Sequence, residues 1–96
     1  MEENVIKELD TLKEMLNNWK RGFLTWASPD GDNEYVLLEF REEIDAQLYP
    51  YVTRLLETQY LSQSEATEFM DYCYGQVEDL RNQLDKVETN ESIKEV

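Results

Sequence analysis

Gly22-Phe-Leu-Thr-Trp-Ala-Ser-Pro-Asp-Gly-Asp-Asn-Glu-Tyr-Val-Leu-Leu-Glu-Phe40 is the stretch on which the fold class turns. Its arms, 22–28 and 34–40, are rich in residues that favour strands. Between them, Pro29-Asp30-Gly31-Asp32-Asn33 carries turn chemistry: proline presets φ, aspartate accepts backbone hydrogen bonds and glycine takes a positive φ. The pattern predicts a β-hairpin over about 22–40, with Val36, Leu38 and Phe40 on the face that rests on helices, because two strands alone are marginal.

Helices are expected on both sides. Upstream, Val5, Leu9, Leu12, Leu16, Trp19 and Phe23 alternate steps of four and three, a heptad seam that predicts a helix from about Glu3 to Trp19. Downstream, Ile44, Leu48, Tyr51, Val52, Leu55 and Leu56 keep helical spacing across Pro50. Proline removes a hydrogen bond and collides with the preceding turn, so either a kink near Leu48 or a new helix at Pro50 is expected. Ser62-Gln-Ser-Glu65 reads as a capping box, in which each side chain satisfies the other residue's amide at a helix start. From there a long helix carries a second seam, Ala66, Met70, Cys73, Val77, Leu80, Leu84 and Val87. The predicted fold is mostly α (α+β): a small bundle of three to four helices with one hairpin after the first, in the order α-β-β-α-α. A single domain over 1–87 with a flexible acidic tail at 88–96 completes the reading.

Composition narrows the function. Against 22 acidic residues stand 9 basic ones and no histidine, a net charge of −13. A surface of that sign repels DNA, RNA and anionic membranes, whose binding depends on Lys and Arg, and attracts a basic partner. No stretch approaches the roughly 18 apolar residues of a membrane span, and the first residues lack the basic and apolar regions of a signal peptide. A cytoplasmic address is the default expectation. Without histidine the common serine and cysteine triads cannot be built, so catalysis would rest on carboxylates, tyrosine or lysine. No enzyme and no cofactor are expected. The lone cysteine, Cys73, falls on the seam, where it serves as a small hydrophobe and not as a nucleophile. Asp30, Asp32 and Glu34 alternate like calcium ligands, but glycine follows the first aspartate and Arg41 stands where a bidentate glutamate belongs, so a solvated turn is the better reading.

Binding is assigned to the last helix. Glu65, Glu68, Asp71, Glu78, Asp79 and Asp85 spread over the half opposite its seam, and residues 55–80 contain six acids and no lysine or arginine. Tyr72 falls among these acids and Tyr74 at their edge, placing amphipathic rings where a basic groove could pack. Glu65, Glu68, Asp71, Tyr72, Glu78 and Asp79 are therefore the expected partner-binding residues, with Trp26 and Tyr35 as a second candidate surface. The function expected is that of a small protein-binding inhibitor or regulator of a basic partner. One form would mimic nucleic acid with carboxylates in place of phosphates, as anti-restriction, anti-CRISPR and antitoxin proteins do, a comparison by type with no shared motif. The alternative is a helical homodimer serving as an assembly subunit, zipped through Leu9, Leu16, Leu80 and Leu84.

Overall fold

The computed structural model describes residues 2–27 and 33–95. Three helical rods pack together: α1 (Glu3–Leu24), a middle rod made of α2 (Glu34–Glu43), a π-turn (Ile44–Leu48) and α3 (Tyr49–Glu57), and α4 (Gln63–Glu95). The molecule measures 56 × 21 × 19 Å, its long axis set by the length of α4. No strand occurs among the described residues, so the fold is all-α and the expected hairpin at 22–40 is absent: α1 runs on to Leu24 before a turn at Thr25 and Trp26, and the second arm is the helix α2.

Periodicity explains the correction. Val36, Leu37, Phe40, Ile44 and Leu48 are buried, a three-and-four spacing that continues from the presumed strand into the helical stretch beyond it. Leu38, which a strand would turn inward with Val36 and Phe40, is 57% exposed. Upstream, Gly22 does not end α1. The seam carries through it to Phe23, whose ring lies 5.6 Å from that of Phe40. Strand propensity is a weak preference with no third strand to pair against, and burial of Phe40 in a helical core overrides it. Pro29, Asp30, Gly31 and Asp32, including two members of the calcium-like pattern, lie outside the described residues. The third member, Glu34, opens α2 and pairs with Arg81 at 3.1 Å.

One core runs from Val5 to Leu84, with Phe40, Leu16, Ile44, Leu48, Leu80, Val36 and Cys73 fully enclosed. Both seams close on each other and on the middle rod within one chain. Leu9, Leu16, Leu80 and Leu84 are all buried within the one chain, while Leu12, Trp19 and Met70 on the same seams are only partly covered. Phe69, outside the α4 seam, is buried as well, while Met70 is half-buried.

Pro50 produces neither a sharp break nor an ordinary helix. Its missing N–H and its ring conflict with the carbonyl four residues back, and the turn before it widens: the Tyr49 amide donates to Ile44, five residues away. α3 ends in a Schellman arrangement. The Tyr60 amide donates to Leu55 at 2.9 Å and the Gln59 amide to Leu56 at 3.1 Å, with Gln59 at φ 67°. A left-handed conformation at a residue with a Cβ costs about 1–2 kcal/mol. Gln59→Gly is expected to raise stability by about 1 kcal/mol, a gain of about 4–8 °C in Tm for a domain of this size. Thermal unfolding followed by circular dichroism checks it, and an unchanged or lower Tm would count against the strain.

Ser62 caps α4 as its sequence indicates. The Glu65 amide donates to Ser62 Oγ at 3.1 Å, and the Ser62 amide donates to Glu65 Oε1 at 2.8 Å.

Candidate functional site

Helical geometry divides the expected partner-binding residues into two groups. At 100° per residue, Tyr72, Asp79 and Glu65 lie on the flank of α4 that turns toward α1, Asp71 and Glu78 lie on the opposite side of its outer face, and Glu68 stands between them, edging a recess it shares with Leu9 and Lys13 of α1. The first group has intramolecular work. Asn17 Nδ2 donates to the Tyr72 hydroxyl at 3.4 Å, and the Lys13 ammonium sits 4.8 Å from that ring's centroid. Asp79 accepts from Lys20 Nζ at 2.6 Å and from Gln83 at 2.7 Å, and the same ammonium donates to Gln76 at 2.8 Å. Glu65 holds the cap, and that hydrogen bond keeps its carboxyl below the usual carboxylate range.

Lys13, Asn17 and Lys20 form a polar stripe beside the α1 seam. Their spacing of four and three was readable in the sequence, but its partner on α4 was not. The hydrogen bond from Lys20, with that from Gln83, holds the Asp79 carboxyl below its ordinary pKa. A depressed folded-state value means stability present above the unfolded pKa of about 3.9 and lost as pH falls through the folded value. Half of the Asp79 side chain is exposed, which limits the contribution to at most about 1 kcal/mol. Asp79→Asn is therefore expected to lower Tm by a few degrees at pH 7, with the gap narrowing as pH falls below the unfolded value and the wild-type carboxylate is protonated. Melting curves of both proteins across that range test it; a gap independent of pH would assign the effect to packing.

The second group is open to solvent. Glu68 and Asp71 make no ion pair or hydrogen bond among the described residues, and Glu78 has Arg81 at 3.8 Å, which is shared with Glu34. Gly75 lies in the middle of this face, and a Cβ built there meets nothing within 4 Å. Six large side chains on the other rods and their ends are also exposed: Ile6, Trp26, Tyr35, Leu38, Tyr49 and Tyr60. Trp26, in the turn after α1, rests edge-on against Phe23 with centroids 5.4 Å apart, and Tyr35 stands on the first turn of α2.

Asp71 also edges a groove between α3 and α4 of about 220 Å³, lined by Tyr49, Val52, Leu56, Met70 and Tyr74 among others. Sequence reading missed Tyr49 and Leu56 as site residues, because a groove between two rods leaves no mark in the periodicity of either. At its end, the Tyr74 hydroxyl donates to Asp45, and the Arg41 guanidinium lies 5.5 Å from the Tyr74 ring. Burial and the Asp45 bond push the Tyr74 hydroxyl up to about 12, so it stays protonated.

Cys73 is fully buried and its thiol is pushed up to about 11 by desolvation, which makes it a core atom at neutral pH. Among the described residues no group of three or more acids or thiols is arranged to hold a metal ion, and no helix is long and apolar enough to cross a membrane. The chain matches no protein-family model, no curated protein and no solved structure.

Proposed function

We propose that this protein acts by binding a basic protein partner, as an inhibitor or regulator, and carries out no chemistry of its own. The observation that carries the reading is the outer face of α4. There Glu68, Asp71 and Glu78 stand without a cation from the long basic-free segment 55–80 to neutralise them, apart from the shared Arg81 at one end. A solvated face of an ordinary helix mixes signs, as α1 does with Glu3 and Lys7 at 3.7 Å. With a net charge of −13 behind it, the face lies in a field that accelerates encounter with a positive surface. The three carboxylates span about 15 Å along the helix at its rise of 1.5 Å per residue. Such a row suits a partner that handles nucleic acid, where carboxylates would stand in for phosphates.

The test is capture from a lysate of the native host at low salt, followed by a salt gradient, with wild type beside the triple variant Glu68→Lys, Asp71→Lys, Glu78→Lys. A basic protein retained by the first, released by salt and not retained by the second supports the reading. Equal retention by both overturns this face as the site.

A further inference from the structure

We infer that the groove between α3 and α4 seats one long cationic side chain, a lysine or arginine, projecting from a basic segment of the protein partner. This deepens the reading above and rests on it. The groove combines the three things such a side chain needs. Val52, Leu56 and Met70 supply apolar surface for a methylene stem. Tyr49, 55% exposed, and Tyr74 supply ring faces that attract a cation. Asp71 supplies a carboxylate with no partner of its own among the described residues.

The π-turn contributes directly to this arrangement. One extra residue in the turn sets the following face back by about 100°. In an uninterrupted helix, Tyr49 would follow Leu38 and Glu42 on the outward side of the rod. The wider turn rotates it to the edge beside α4, where it lines the groove. Just beyond the groove, the Arg41 guanidinium already lies 5.5 Å from the Tyr74 ring centroid, so among the described residues Tyr49 is the lining ring with no cation of its own. Charge decides the occupant. A second copy of the chain would bring another −13 against the first, and a purely apolar segment would leave Asp71 facing a desolvated edge.

The probe is an amidated leucine–lysine peptide with helical spacing, about four turns long, with its glutamate counterpart as control. It is titrated into the full chain labelled with nitrogen-15, with affinity measured by calorimetry. Shifts centred on Tyr49, Thr53, Thr67, Met70, Asp71 and Tyr74 are expected, with affinity falling as salt rises. Tyr49→Ala, an exposed change that spares the core, is expected to weaken the lysine peptide by at least about tenfold, the loss typical of an aromatic anchor. Asp71→Asn is expected to flatten the salt dependence. Binding lost in the Glu68→Lys, Glu78→Lys variant but kept in Tyr49→Ala overturns the groove and leaves the basic-partner reading standing. Equal binding of the lysine and glutamate peptides overturns both, and no binding of the lysine peptide at low salt overturns the groove.

Discussion

Phe40→Ala is expected to remove most of the protein's stability. The ring is fully enclosed and packs against Phe23, and truncating a buried phenylalanine costs about 3–5 kcal/mol once the cavity left behind is included. A domain of this size has roughly 5–15 kcal/mol in total, so the variant should melt more than about 15 °C below wild type. Its neighbours make the experiment diagnostic. Leu37→Ala, which empties a site only 6% exposed, should cost about 2–5 kcal/mol, whereas Leu38→Ala, at 57% exposure, should stay within about 0.5 kcal/mol. A strand through these residues reverses that order, placing Leu38 inside with Phe40 and turning Leu37 out. Urea unfolding of the three variants, followed by far-UV circular dichroism, therefore reads the fold of this segment as well as its stability. Equal losses at positions 37 and 38 would contradict the helix.

Charge reversal on α4 is expected to have the largest effect on binding. Replacing Glu68, Asp71 and Glu78 by lysine moves the net charge from −13 roughly halfway to neutrality and places positive charge where a basic partner would dock. At low salt, association should slow by at least about tenfold, with the difference shrinking as the Debye length falls below about 10 Å. Stability should barely move, because Glu68 and Asp71 are exposed and unpaired and Glu78 has only a weak, solvated contact. A matched control reverses Glu3, Asp10 and Glu14 on α1, which changes the net charge equally on another face. If that control slows association as much, net charge and not the α4 face governs the encounter. Asp79 does not belong in such a variant: a lysine there would meet Lys20, whose side chain is only 14% exposed, and a loss of folding would be mistaken for a loss of binding.

Much of the architecture could be read from residues alone, for reasons local to the chain. The seams of α1 and α4 are visible because apolar side chains must recur at the period of the helix to reach one core. The capping box is visible because Ser62 and Glu65 satisfy amides within four residues of each other. Burial of Cys73 follows from its place on a seam, and the sign of the surface from counting charges. The segment 22–40 was legible only in part. Val36, Leu38 and Phe40 fit a period of two as well as Val36, Leu37 and Phe40 fit a helix, and turn residues serve a helix-to-helix connection as readily as a hairpin. What resolved the ambiguity was packing: Phe40 lies against Phe23 inside the core, with Leu37 buried beside it and Leu38 turned out. The site divided along the same line. A helical wheel gives the angle of a side chain but not which neighbour stands at that angle, so Tyr72 and Asp79 read as free surface although Asn17 and Lys20 wait across from them. The groove at Tyr49 is further still from sequence, since it exists only where two rods meet and where a widened turn before Pro50 has rotated one of them.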